Sequence, residues 1–337
     1  MQASVDAGRR PIDYPLLLQQ AAEQAGETAG WVEHDLEIGP RRVRLRFAGQ
    51  ALVPFLLDAL HPVVRPPDGA ADTTISIWDT ASTGVAGPEQ GWRGDEVLGR
   101  TAVKGLAGVA QDPGSGIVSV FDDEARSGVF WAPAAERIRW YDRAAPLRAL
   151  LNWALAGPSC RLVHAGAVGH DRGGALLVGP GGSGKSTLAL ACLRAGLGYV
   201  GDDYVFLVAD GGPVAHALYG TAKADDRTLD LVGGLRRAFP PQGADGEKAV
   251  LRVDPVRPSA PLTAVVLPSL GAGGPELEPV SGAEALRALA PSTIFQLPPT
   301  AVPLAPLGEL VRSVPSYRLA LGPDPAAAAS LVEELLA

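Results

Sequence analysis

Only two cysteines, Cys160 and Cys192, occur in 337 residues, neither of them in a CxxC pair or a Cys/His cluster. That excludes a disulfide framework and a zinc site, and leaves both as small buried apolar side chains. The chain has no run of about 18 apolar residues, which excludes a membrane-spanning helix. Met1 to Arg10 contains no apolar signal segment. A soluble, cytoplasmic protein with no membrane partner is therefore expected. Positive charge is in deficit, with a formal net charge of -8 and no basic tail. Such a chain is a poor binder of nucleic acid or anionic lipid. Lysine is the scarcer cation: of 29 Lys+Arg residues only Lys104, Lys185, Lys223 and Lys248 are lysines. Tryptophan is missing after Trp153, and no repeat shows at solenoid periods.

What is present is an ordinary globular composition, 47% hydrophobic and 20% charged, with length enough for two cores. The 41 glycines and 30 prolines point to many turns. Residues 1–145 read as a strand-rich α+β domain. Leu36 and Ile38, then Val43, Leu45 and Phe47, alternate with charged residues around Gly39-Pro40, the pattern of a half-buried hairpin. Its outer face carries Arg42, Arg44 and Arg46, either an anion ladder or, more simply, a solvated strand face. A helix is expected over Leu52 to Leu60, with Pro54 in its first turn. Strands are expected at Thr74 to Trp78, Ile117 to Phe121, Val129 to Trp131 and Ile138 to Tyr141. Trp31, Trp78, Trp92, Trp131, Trp140 and Trp153 read as core and rim packing.

Pro146 to Leu155 predicts a helix closed by Gly157-Pro158, and the domain boundary is placed there. Residues 146–337 then alternate strands (Leu162 to Val168, Ala175 to Val178, Tyr199 to Val208, Ala264 to Leu267) with a helix from Ser186 to Ala195, an α/β pattern. Gly271 to Pro306 is poor in charge and reads as a surface wrap. Ala326 to Leu336 reads as a terminal helix.

Gly179-Pro180-Gly181-Gly182-Ser183-Gly184-Lys185-Ser186 satisfies GxxxxGK[ST], with a strand before it and a helix after it. Glycines let the backbone turn its N–H groups inward as an anion nest, and the helix N-terminus adds partial positive charge. Lys185 then reaches the β- and γ-phosphates, Ser186 ligates Mg²⁺, and Thr187 completes the nucleotide-binding run. A nucleoside triphosphate, ATP, with Mg²⁺ is the expected ligand. One helix later come Asp202 and Asp203, adjacent carboxylates after an apolar stretch. Adjacent strand residues face opposite ways, so one can address a nucleophile while the other supports the metal. Periodicity leaves open which does which. His164, on the preceding strand, reads on spacing alone as a core histidine or a site residue.

His164-Ala165-Gly166, then 179–186, then Gly201-Asp202-Asp203 resembles the kinase domain of HPr kinase/phosphorylase, with His164 lying 21 residues before Lys185 and Asp202 lying 17 after it. The related phosphoenolpyruvate carboxykinases are similar more weakly. Val314 to Leu319 extends a looser similarity towards HPr-kinase-related proteins of bacterial peptide-modification clusters, such as those making lasso peptides. The resemblance implies a P-loop kinase fold over residues 146–337. It implies Asp202 as general base on a serine hydroxyl, Lys185 and His164 as further catalytic residues, and Ser186 and Asp203 at the metal. It also implies a peptide or small-protein acceptor. The family's Glu-x-Arg-Gly-Leu-Gly segment is missing, and Leu218 to Asp225 stands nearest to it, so a one-way kinase is expected. Lys223, and less strongly Arg252, Arg257 and Arg318, are further cations for the transferring phosphate. The alternatives are a small-molecule hydroxyl kinase and an ATP-gated binding module. The N-terminal domain is expected to select the acceptor; otherwise it packs on the kinase domain or builds a homo-oligomer.

Overall fold

The alternation around Gly39-Pro40 folds as the antiparallel pair Trp31–Ile38 and Arg41–Ala48. Leu36, Ile38, Val43, Leu45 and Phe47 are buried on one face. On the other face the register sets Arg42 against Glu37, Arg44 against Asp35 and Arg46 against Glu33. All three are ion-paired, at 2.9, 2.9 and 3.2 Å. The arginine row is thus neutralised by its own hairpin and is a strand face rather than an anion site. In the computed structural model the described residues are 14–88, 98–99, 106–112, 114–232, 234–241, 248–300 and 304–337.

This hairpin extends into an eight-stranded sheet. Thr73–Asp79 joins Arg41–Ala48 in parallel, Ser127–Ala132 joins it in parallel, and Val118–Asp122 follows antiparallel. A helix that composition did not announce, Tyr14–Ala29, packs Leu18, Ala22 and Ala25 against Trp78 and Trp131. Trp78, Trp131 and Trp153 are buried, Trp31 and Trp140 are half-buried, and Trp92 lies outside the described residues.

A nine-stranded sheet carries the second half, built on the long strand Ser259–Ser269. Gly174–Leu177 and Ser316–Ala320 both pair with it in parallel, while Val214–His216 pairs antiparallel. The helix Lys185–Arg194 covers one face with Pro325–Leu336, and Gly282–Gln296 covers the other with Ala305–Ser313. The whole is mixed α/β with a further three-stranded sheet. No helix among the described residues is long and apolar enough to cross a membrane. One buried cluster runs across residue 146, joining Leu45, Phe121 and Trp153 to Tyr204, Phe206 and Leu297.

Several local expectations are corrected. Only Val53–Leu56 of the run Leu52 to Leu60 is helical, with a proline in its first turn. Ile138 to Tyr141 is no strand: a 3₁₀ turn at Ala135–Arg137 leads into the helix Trp140–Ala144. So short an apolar run has too few positions to tell the two periods apart. The helix expected from Pro146 starts at Arg148, because Leu147 takes φ 55. Gly271 to Pro306 does not wrap the surface but supplies the strand Glu276–Val280 and the helix Gly282–Gln296. Ser281 caps that helix by accepting from the Glu284 N–H, an S-x-x-E start that outweighs Pro291 inside it.

Two further differences shape the site. Leu162 to Val168 is two strands, Cys160–Val163 and Gly166–Gly169, broken at His164-Ala165. Tyr199 to Val208 is likewise Gly198–Gly201 and Val205–Val208, broken at Asp202-Asp203-Tyr204. In each case the two pieces occupy distant places in the strand order. The sheet therefore coils sharply on itself, and the two breaks form a seam. Each break is a three-residue turn, with Ala165 N–H donating to the Val163 carbonyl at 3.1 Å and Tyr204 N–H to the Asp202 carbonyl at 2.7 Å. His164 and Asp203 are the central residues of these γ-turns.

Candidate active site

Gly174–Leu177 runs into the glycine-rich loop, and the helix Lys185–Arg194 leaves it. Gly182 and Gly184 sit at φ 80 and 98, conformations that L side chains rarely adopt. A Cβ on Gly181 or Gly182 would meet nothing within 4 Å, and both glycines line an open cavity. Lys185 is buried and its Nζ donates to the carbonyls of Gly179 and Pro180 at 2.8 and 3.0 Å, tying the ammonium across the loop. Burial lowers its pKa, opposed by the charges of Asp202 and Asp203. The Ser183 hydroxyl is buried without a partner.

Beside the loop lies a cavity of about 180 Å³, lined by Gly181, Gly182, Gly184, Lys185, Ser186 and Thr187 together with His164, Asp203 and Lys223. Asp203 is 24% exposed and pairs with Lys223 Nζ at 2.7 Å. Burial alone would raise its pKa, but the charge and hydrogen bond of Lys223, with His164 and Lys185, hold the carboxyl below the ordinary value. His164 Nε2 stands 3.9 Å from Asp203 Oδ1, too far for a hydrogen bond. Its ring packs against Tyr204 at 5.3 Å, and its Nδ1 is buried and unpaired.

Asp202 is not part of the cavity lining and is only 3% exposed, but it bonds to Ser186, which is. Lys223 N–H donates to its Oδ2 at 3.4 Å, while Oδ1 has no partner. Burial, then the neighbouring Asp203 charge, push its pKa up to about 6, against the Ser186 hydroxyl and two backbone N–H groups that lower it. Asp202 and Ser186 therefore form one corner, and Asp203, Lys223 and His164 another.

These donors fit a nucleoside triphosphate and its metal. The open glycine cradle, the Ser183 hydroxyl and the lysines suit phosphate oxygens. Among the described residues no group of three or more His, Cys, Asp or Glu side chains is gathered to hold a metal alone. One hydroxyl and one carboxylate, Ser186 and Asp202, suit Mg²⁺ that also binds substrate phosphates.

Sequence reasoning missed Lys248, Asp225 and Thr228, which line the same cavity. For Lys248 the clue was the scarcity of lysine. Three of the chain's four lysines, Lys185, Lys223 and Lys248, face this one cavity, and Lys104 lies outside the described residues. Arg252, Arg257 and Arg318 do not belong here. They pair with Asp58, Asp171 and Glu284, and none lines the cavity.

His164 provides a direct check. Burial, then the Lys185 charge, lower its pKa to about 4. Side-chain ¹⁵N shifts should show this ring titrating near pH 4; a midpoint above pH 6 would mean that the ring is hydrated and the corner misdrawn. A depressed pKa means that the folded state binds fewer protons than the unfolded one. The stability from the neutral ring is complete above pH 6.5 and is lost as pH falls through about 4.

No protein-family model matches the chain, and no curated protein does. Among solved structures it is similar to an Hpr(Ser) kinase/phosphatase from Coxiella burnetii, at 17% identity and a TM-score of 0.29. The aligned part covers 52% of this chain and 95% of that one.

Proposed function

We propose that the chain is an ATP- and Mg²⁺-dependent phosphotransferase with a P-loop domain of the HPr kinase type. It moves the γ-phosphate to an alcohol, most simply the serine hydroxyl of a peptide or small protein. One observation carries this reading: a glycine-rich loop with its lysine, an ionised carboxylate and two more lysines converge on a single cavity. Phosphoryl transfer asks for little else, since positioning and charge neutralisation supply most of the catalysis.

The acceptor oxygen attacks the γ-phosphorus, the bond to the β-bridging oxygen breaks, ADP leaves, and the hydroxyl proton passes to a carboxylate. Geometry favours Asp203 for that proton, because it faces the cavity and remains ionised. Asp202, beside Ser186, is the metal-side carboxylate. This exchanges the roles that the family resemblance implied. Mg²⁺ held there would neutralise charge between the β- and γ-phosphates. Lys223 lies against Asp203, where it can meet the transferring phosphate and fix the carboxylate's direction. His164 is neutral at physiological pH and packs on Tyr204 at the seam beside Asp203, so it shapes that corner rather than adding charge.

The test is incubation with γ-labelled ATP, Mg²⁺ and peptides or small alcohols. Label should move to a hydroxyl, and excess inorganic phosphate should not release it again as pyrophosphate. ATP hydrolysis with no acceptor dependence would overturn this reading in favour of the ATP-gated binding module.

A further inference from the structure

A second cavity, of about 540 Å³, lies where the N-terminal sheet meets the helix Arg148–Ala154 and the end of Gly282–Gln296. Its apolar walls include Leu56, Ile117 and Phe130 on one side and Leu297 and Pro298 on the other. The second wall is anchored: Asn152 Nδ2 donates to the Pro298 carbonyl at 2.9 Å and Trp153 Nε1 to that of Pro299 at 3.0 Å. Phe295, 85% exposed, and Ile294, 49% exposed, stand on its lining and extend the apolar surface outward. Among the described residues the other exposed large apolar side chains are Leu16, Leu17 and Leu270, and Leu270 lines the first cavity.

Charge inside the second cavity is unbalanced. Asp112 is fully engaged by Gly114 N–H, Ser115 Oγ and Tyr141 Oη, which hold it ionised. Asp142 is different. Its Oδ2 is buried with no hydrogen-bond partner, and burial pushes its pKa up to about 6. Arg148 is the cation of this lining, but its guanidinium donates to Tyr204 Oη at 3.2 Å. Arg148, Asp112, Arg139 and Lys223 all act on Asp142 at a distance. A half-buried carboxylate on the lining of a largely apolar cavity, with its enclosed oxygen unpartnered, is complementary to an incoming cation.

The two cavities communicate through side chains. Arg148 bonds to Tyr204, Tyr204 packs on His164, and His164 stands beside Asp203. We propose that the second cavity is the acceptor's recognition site, and that it takes a basic side chain flanked by apolar ones, with Asp142 as the counter-charge. Arg148, Tyr204 and His164 are the side chains that link the peptide's cavity to the corner of Asp203. The word acceptor rests on the phosphotransfer reading; the binding itself does not.

The full chain is titrated with three fluorescent pentapeptides that differ only at the centre, arginine, glutamine or glutamate, each with flanking leucines and a serine. The arginine peptide should bind about tenfold or more tightly than the glutamine one, with the glutamate peptide weakest. Asp142→Asn should erase the ranking, and Phe295→Ser, at a mostly exposed position, should weaken all three peptides alike. ATP affinity is measured in parallel and should not change in either variant. Equal binding of the three peptides, no binding of any, or an arginine preference that survives Asp142→Asn each overturns the inference. If Asp142→Asn fails to fold, the wild-type ranking together with Phe295→Ser decides. Failure of the wild-type chain to bind ATP would instead overturn the phosphotransfer reading and leave the peptide result standing.

Discussion

Lys185→Ala is expected to lower phosphate transfer by about 10²–10³-fold, the usual loss when one preorganised charge aimed at the transition state is removed. Nucleotide affinity should fall much less. The glycines that shape the cradle, at φ 80 and 98, do not depend on the side chain, so the backbone N–H groups still meet the phosphates. The alanine variant also removes two hydrogen bonds to the loop carbonyls of Gly179 and Pro180, so some loosening of the loop is expected. Lys185→Arg should not rescue transfer, because a planar fork cannot replace a compact ammonium wedged between two carbonyls. Transfer rates from single-turnover experiments, set against ATP dissociation constants, separate the two effects. Near-normal turnover in Lys185→Ala would remove the loop from the chemistry.

Asp203→Asn and Asp202→Asn should fail in different ways. The first removes the carboxylate that faces the cavity, and transfer should drop by about 10²–10⁴-fold, as when a general base is lost. ATP and Mg²⁺ should still bind. The second removes the carboxylate next to Ser186, and the Mg²⁺ concentration needed for half-maximal rate should rise, with partial recovery at high Mg²⁺. A kcat profile against Mg²⁺ for both variants reads this directly. The opposite pattern, metal rescue of Asp203→Asn and none of Asp202→Asn, would return the base to Asp202.

Much of this site was legible in the sequence because it is local. The glycine-rich loop is a contiguous run whose strand and helix flank it directly, and the Asp pair follows one helix later. What could not be read was the seam. Alternation carried the eye straight through Leu162 to Val168 and Tyr199 to Val208, since each break costs a single three-residue turn and leaves the apolar pattern almost intact. Without the seam there is no reason to prefer Asp203 over Asp202 for the cavity. Lys248 was hidden for another reason: nothing in its neighbours marks it, and its role emerges only when β-pairing of Thr221–Ala224 with Ala249–Arg252 brings it round. The helix Gly282–Gln296 was obscured by its internal proline, although its cap was present in Ser281 and Glu284.

The turn at Asp203 narrows what this position can become by mutation. At φ 62, as the centre of a γ-turn, it holds a conformation that costs most L residues roughly 1–3 kcal/mol. Asparagine, aspartate and glycine tolerate it best. The backbone thus favours three residue types, although Leu147 shows that a larger side chain can hold a similar φ, and only one of the three carries a carboxylate. If Asp203 takes the acceptor's proton, single substitutions that suit the backbone should give a silent protein, and those that keep an acid, such as glutamate, should strain the seam. Drift at this position has no gradual route. In a saturation library selected for transfer it should emerge as nearly pure aspartate, whereas a library selected for folding alone should admit asparagine and glycine beside it.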